Sequence, residues 1–355
     1  MEKNEDYRLV IVGYGGMGSY HARLVEQAER IQVAGVLDIA QYRQELAKSH
    51  GHTIYDDLQS VLSDDTIDIV LIATPNDVHK ELAIAALQAG KHVICEKPVT
   101  IHSQDLLDIL QVAKEVERVF MVHQNRRWDE DFLIVRQLIQ QQTIGDVFHV
   151  ESRVQGANGI PGDWRQLKAY GGGMLLDWGV HLLDQLLLLT DSKIESVSAE
   201  LSTILNTEVD DGFTARITFK DGLTALVEVG TTNYIKLPRW YVKGSQGTAI
   251  IQDWDLSGEI VRKNLDVAHV EPKPIQAGRG LTKTMAPPSE ESTIRSPIER
   301  IAEQDVPEEF FHNFIAVVEG TAKPAVDNEQ VLRVLRLIEA LFEAAEQNQI
   351  IQREL

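Results

Sequence analysis

In the first third of the chain, apolar positions fall into short unbroken runs separated by longer stretches with helical spacing. The runs at 7–12, 33–37, 67–73, 92–95 and 119–122 are near-continuously apolar, as strands buried on both faces of a parallel sheet must be. Between them, 17–28, 41–49, 57–62, 77–89 and 103–116 carry apolar residues every three or four positions, which predicts helices. Strand and helix in strict alternation, joined by right-handed crossovers, predict a doubly wound α/β domain over 1–124.

Beyond about residue 145 the texture changes. Segments 147–154, 194–201, 213–219, 224–229 and 240–242 alternate apolar with polar residues, and Gly222 and Gly247 punctuate them. That pattern predicts a largely antiparallel sheet with one open face, interrupted by one helix at roughly 174–189. Segment 262–306 carries Pro, Gly, Ser, Thr and charge with little periodicity and reads as a long loop, whose 280–285 part fits a substrate lid, an intersubunit contact or an inert surface insertion. Pro307 and Gly320 bracket a helix, and Asp327 with Gln330 offers a capping-box-like start to another running through Phe342. Residues 125–355 are thus expected to form an α+β domain for substrate binding and oligomerisation, with the C-terminal helices able to pack back on the first domain.

Composition narrows the classes. A chain of 355 residues outgrows a single hydrophobic core. Its 34 Lys and Arg against 54 Asp and Glu leave a formal charge of −20, which repels nucleic-acid backbones and anionic membranes, so neither is an expected partner. A dinucleotide remains open, because backbone amides at a helix N-terminus can hold it. One cysteine excludes an internal disulfide framework. No run of 18 apolar residues exists and Met1 to Asp6 is polar, so the expected compartment is cytoplasmic.

Gly13, Gly15 and Gly18 form G-x-G-x-x-G between a predicted strand and a predicted helix, with Gly16 and Met17 inside the turn. Such glycines allow a tight turn, backbone approach to a pyrophosphate and close packing of helix on sheet. Asp38 ends the second strand, twenty residues after Gly18, where a carboxylate would accept hydrogen bonds from an adenosine ribose; otherwise it is an ordinary strand-end cap. A 2′-phosphate would meet like charge there, so NAD is favoured over NADP, with Arg43 the nearby cation that argues the other way.

Two further segments carry candidate chemistry. Cys95-Glu96-Lys97-Pro98 follows a strand at the carboxyl edge of the sheet, where open α/β sheets bind ligands. Lys97 there would stabilise negative charge on a substrate oxygen, or else be a solvated surface turn; Cys95 reads as a small core residue. After Gly171-Gly172-Gly173, residues Asp177, His181 and Asp184 lie at i, i+4 and i+7, on one face of the expected helix. Three such groups on an otherwise apolar helix favour a site over a satisfied core histidine. His50 and His52 lie in a glycine-containing turn without companion ligands, and no metal is called for.

Together these motifs resemble the Gfo/Idh/MocA oxidoreductases, a family that includes inositol dehydrogenases and glucose–fructose oxidoreductase. The match runs through Ala73-Thr74-Pro75-Asn76 with His79, Glu96-Lys97-Pro98, Asn125-Arg126-Arg127, and Gly172-Gly173 through Asp177, His181 and Asp184. The resemblance implies that Thr74, Pro75, Asn76, His79, Glu96, Lys97 and Asn125 line the cofactor. It implies that Lys97, Asp177 and His181 converge on the substrate, with His181 as acid/base and Asp184 fixing its ring. Arg126, Trp164 and Arg165 are carried over as residues near nicotinamide or substrate, Arg126 and Arg127 being equally readable as interdomain ion pairs. The activity so implied is hydride exchange between NAD and a secondary alcohol of a sugar, glucoside or inositol-type polyol, in a homodimer or homotetramer joined through the open sheet. A glycoside-processing enzyme with tightly bound NAD and a non-catalytic Rossmann ligand sensor are the alternatives. A sensor would need neither Lys97 nor His181.

Overall fold

The computed structural model describes residues 6–268, 271–301 and 309–355. Its first sheet comprises β1 (Tyr7–Val12), β2 (Ile31–Leu37), β3 (Ile69–Ile72), β4 (His92–Glu96) and β5 (Phe120–His123), all parallel, in the order β2-β1-β3-β4-β5. Helices α1 (Gly16–Val25), α2 (Gln41–Ser49), α3 (Leu58–Leu62), α4 (His79–Gln88) and α5 (Ser103–Glu115) join the strands. β3 and β5 are buried throughout and β1 at every position but Arg8, as their apolar runs require.

After α6 (Glu130–Gln140) comes a second, larger sheet. Its strands are β6 (Val147–Gln155), β7 (Ile194–Ser202), β8 (Gly212–Phe219), β9 (Thr224–Gly230), β10 (Trp240–Gly244), β11 (Gly247–Ile251), β12 (Gly258–Lys263), β15 (Thr293–Pro297) and β16 (Ile351–Gln352). Among the described residues the order is β15-β12-β11-β10-β6-β9-β8-β7-β16, antiparallel except where β6 meets β9. On β9, Ala225, Val227 and Val229 are buried while Thr224, Leu226 and Glu228 are partly exposed, the alternation of a one-sided sheet. The buried face packs on α6, α7 (Val180–Leu187) and α9 (Asn328–Gln347).

The 262–306 segment is not a structureless loop. It contains β15, which pairs with β12, and a small hairpin of β13 (Ile275–Ala277) and β14 (Gly280–Thr282). These strands are too short and too polar to show periodicity; backbone pairing forms them, with Arg295 of β15 ion-paired to Glu259 of β12. The helix expected from Pro307 appears as α8 (Glu309–Val318), Pro307 itself lying outside the described residues. Asp327 caps α9 by accepting from the Glu329 amide at 2.7 Å; Gln330 completes no capping box, because its Oε1 accepts from Arg127. Phe310, Phe311, Phe314 and Ile315 of α8 sit in the core of the first sheet, and α9 contributes to both cores. The two halves are therefore clamped by the C-terminal helices. Among the described residues no helix is long and apolar enough to cross a membrane.

Candidate active site

The glycine turn leaves β1 and enters α1 beneath the end of β3. Gly13 has φ of +93°, and a Cβ on it would lie 2.6 Å from the Ala73 carbonyl oxygen; on Gly18 it would lie 1.9 Å from that of Gly13. Both positions therefore admit only glycine. A Cβ on Gly16 would meet nothing within 4 Å, so this side of the turn is open to a ligand. Asp38 pins the turn to β2: its Oδ2 accepts from the Tyr14 amide at 2.7 Å and its Oδ1 from the Ala40 amide at 2.8 Å. Arg43 stands 3.6 Å from the Asp38 carboxylate and the same distance from a Gly15 Cβ, so a cation borders the loop as well as an anion.

Opposite the turn, buried polar atoms lack partners. Thr74 Oγ1, Asn125 Oδ1, both amide atoms of Gln124 and His181 Nδ1 are enclosed without a hydrogen bond. Buried polar atoms are normally satisfied, so this set fits a bound dinucleotide and its substrate. Gln124 had no motif to mark it. Pro75 leads from Thr74 into the short turn carrying Asn76, whose Nδ2 donates to the Gly171 carbonyl at 2.9 Å and ties the cofactor half to the triple-glycine segment. His79 is buried, with ring nitrogens 3.0–3.2 Å from the carbonyl oxygens of Thr74, Pro98 and Val99. It braces two loops, both ring nitrogens being engaged by these carbonyls.

Three charged side chains meet at the carboxyl end of β4. Lys97 Nζ donates to the Asp177 carbonyl at 3.0 Å and to its Oδ1 at 3.2 Å, and Arg165 Nε donates to Oδ2 at 3.2 Å. Burial would raise the Asp177 carboxyl, but the Lys97 and Arg165 charges outweigh it and hold the group below its usual range. His181, only 4% exposed, is pushed well below 6.5 by burial and then by the Lys97 and Arg126 charges, and is thus neutral. Asp177 and His181 do not share a regular α-helical stripe. Residues Leu175–Gly179 form a widened π-type turn ahead of α7, a distortion common at functional sites.

Asp184 does not fix the imidazole. Its two oxygens accept from Arg127 Nε at 2.8 Å and Nη2 at 2.6 Å, deep in the protein. Arg127 also donates to the Ala325 carbonyl and to Gln330, so it ties α7 to the start of α9 within the second half of the chain and is no interdomain ion pair. Arg126 stacks 4.2 Å above the Trp178 ring and 5.4 Å from that of Trp254, while donating to Asp129. Trp254, on the β11–β12 turn, went unmarked because nothing local distinguishes it. Trp164 lies under the Arg165 guanidinium at 4.6 Å, and Met17 sits on the first turn of α1. Cys95 is buried.

Glu96 is likewise turned inward. Its Oε1 accepts from His21 Nε2 at 2.7 Å and His123 Nδ1 at 3.1 Å, and its Oε2 from the Lys97 amide at 3.0 Å. Neither histidine was marked by the sequence, since α1 and β5 lie far apart along it.

Residues 7–124 match the family described as "Oxidoreductase family, NAD-binding Rossmann fold", and residues 132–250 match "GFO/IDH/MocA C-terminal domain". An NAD-binding protein from Listeria innocua superposes with a TM-score of 0.95 at 61% identity, covering 98% of this chain and 100% of that one. The scyllo-inositol 2-dehydrogenase (NADP(+)) IolW of Bacillus subtilis is 26% identical over 364 residues, 99% of this chain and 97% of its own. The myo-inositol 2-dehydrogenase of Thermotoga maritima is 25% identical over 228 residues, 62% of this chain and 67% of its own.

Proposed function

The chain belongs to the GFO/IDH/MocA family of NAD(P)-binding oxidoreductases, and from that premise we propose that it is an NAD-dependent dehydrogenase acting on a secondary alcohol of a sugar, glucoside or inositol-type polyol. The observation that carries this reading is the pairing of Lys97 on Asp177 beside a neutral His181 whose Nδ1 is unpartnered. The inositol dehydrogenases among its relatives support the substrate class.

When bound, the nicotinamide supplies the acceptor for the hydride. His181, held neutral, takes the hydroxyl proton during oxidation and returns it during reduction. Lys97 donates to the same oxygen and stabilises the charge that develops on it. Asp177 and Arg165 keep the lysine aimed, and Thr74, Gln124 and Asn125 offer their unpartnered atoms to the cofactor. Asp38 favours NAD because a 2′-phosphate would meet its charge; Arg43 and the NADP(+)-named relative make the comparison with NADP essential.

A panel of inositols, aldoses and glucosides with NAD and with NADP, followed by absorbance of the reduced cofactor, tests the proposal. Net reduction with one member is expected, more efficiently with NAD. Turnover of a glycoside without net reduction would replace it with the transient-oxidation reading. Lys97→Ala should lower kcat by about 10²–10³-fold while leaving dinucleotide affinity within a few-fold.

A further inference from the structure

We propose that Glu96 is a positioning residue and not a ligand of the dinucleotide: its carboxylate, clamped between His21 and His123, fixes the backbone of Lys97 and keeps an anion near His181. The inference rests on Lys97 and His181 being the reacting groups. Glu96 is 4% exposed, and its oxygens are engaged by donors from three segments. Nε2 of His21 donates from α1, Nδ1 of His123 from β5, and the Lys97 amide from the end of β4 itself. α1 carries the glycine turn, β5 leads into Gln124 and Asn125, and β4 delivers Lys97. One buried carboxylate thus joins the cofactor floor to the reacting lysine.

The clamp is itself packed. The two imidazoles meet edge-on at 4.5 Å, and α8 backs them with Phe310, 4.7 Å from His123, and Phe311, 6.0 Å from His21. A carboxyl group so enclosed stays ionised only when it is fully hydrogen-bonded, and the histidines hold Glu96 well below the usual carboxylate range against its burial. A side-chain amide in its place would offer one acceptor oxygen and two unwanted donors to a site built of donors. Two histidines and a carboxylate also form a possible metal-ligand set, but Oε1 lies in direct hydrogen-bond contact with both ring nitrogens, so donation accounts for the geometry without an ion.

The anion also acts on His181. The charged and titratable groups that bear on His181 are Lys97 and Glu96 from the end of β4, and Arg126 and His123 from β5 and the turn after it. Glu96 is the anion of that set. Removing it takes away a charge that favours the protonated ring and makes His181 harder to protonate.

Glu96→Gln in the full chain tests this with three readouts: dinucleotide affinity by fluorescence titration, kcat at saturating cofactor, and the pH midpoint of the His181 ring resonances by NMR. The expected result is affinity within about threefold of the parent, kcat down by about 10- to 100-fold as the lysine loses its register, and a His181 midpoint displaced to lower pH. A tenfold or greater loss of affinity with kcat retained would make Glu96 a cofactor ligand and overturn the proposal. So would a lower Tm with kcat and the His181 midpoint unmoved, or a stoichiometric metal present in the parent and lost in the variant. If Glu96→Gln does not fold, His123→Leu, which removes one donor, should lower kcat by less with affinity retained, and its failure to do so would count equally against the idea. The NMR midpoint needs no substrate, so it decides the role of Glu96 even if no polyol is turned over.

Discussion

Gly173 shows how much of the site rests on single positions. Its φ is +103°, and a Cβ there would lie 2.2 Å from Asp210 Oδ1. Asp210 in turn holds the start of the widened turn, its Oδ2 accepting from the Leu175 amide at 2.7 Å and its carbonyl from the Met174 amide at 3.0 Å. Burial pushes the Asp210 carboxyl up to about 6, so the anchor is already costly to ionise. Gly173→Ala combines a left-handed backbone with displacement of this anchor, and should cost on the order of 2–3 kcal/mol and lower kcat by misplacing Asp177. Urea unfolding with steady-state rates checks it; an unchanged midpoint would mean that the turn accommodates the methyl. The three glycines before Asp177 were legible as a signal. Their reason, a close approach to a residue 37 positions away in the chain, was not.

At the scale of elements, the turn after β5 is tied to α7 by one buried ion pair. The Arg127–Asp184 contact is bidentate, and burial still pushes the Asp184 carboxyl above its usual value, its arginine compensating only in part. Pairs of this kind matter chiefly through what is left behind when one partner goes. Arg127→Met should therefore destabilise by about 3–5 kcal/mol, and adding Asp184→Leu should recover much of the loss. Chemical denaturation of both variants is the measurement, and a double variant no more stable than the single one would refute the account. The helical pattern of α9 was clear from its leucines, but one amphipathic stripe does not reveal two clients. Val331, Leu332 and Leu335 face the first core, whereas Val334, Leu337, Ile338 and Leu341 face the second.

Across the whole molecule, buried neutral histidines make stability depend on pH. His21, His79 and His181 are lowered by burial, and His92 is brought to about 4 by burial and by Arg118 while its Nδ1 accepts from the Val119 amide at 3.0 Å. A histidine with a depressed folded pKa contributes stability above about pH 6.5, which is lost as pH falls towards the folded value and the unfolded chain alone takes up the proton. For His92 the loss between about 6.5 and 4 amounts to roughly 3 kcal/mol at most. Relief of the repulsion implied by a net charge of −20 acts in the opposite sense, so the comparison must be internal. Urea midpoints of the parent and of His92→Asn, taken from pH 7 down to about 4.5, should fall less steeply for the variant, whose amide oxygen still accepts from Val119. Parallel slopes would assign the acid sensitivity to other groups.

What the sequence determined by itself was everything with a local cause. Apolar periodicity dictated the parallel sheet and the one-sided second sheet, because burial on two faces or one is written into successive residues. The glycine turn, Asp38, Lys97, Asp177 and His181 were legible because each is chemistry at a fixed spacing from the element that presents it. Tertiary structure decided which partner each polar group chose. Asp184 turns to Arg127 and away from His181, Glu96 to His21 and His123, and His79 to three carbonyls. Strand pairing in 275–297 arose the same way, from backbone ladders with no side-chain signature. Hydrogen bonding and ion pairing act over about 3 Å, and which groups come that close is settled by how the elements pack and not by their order along the chain.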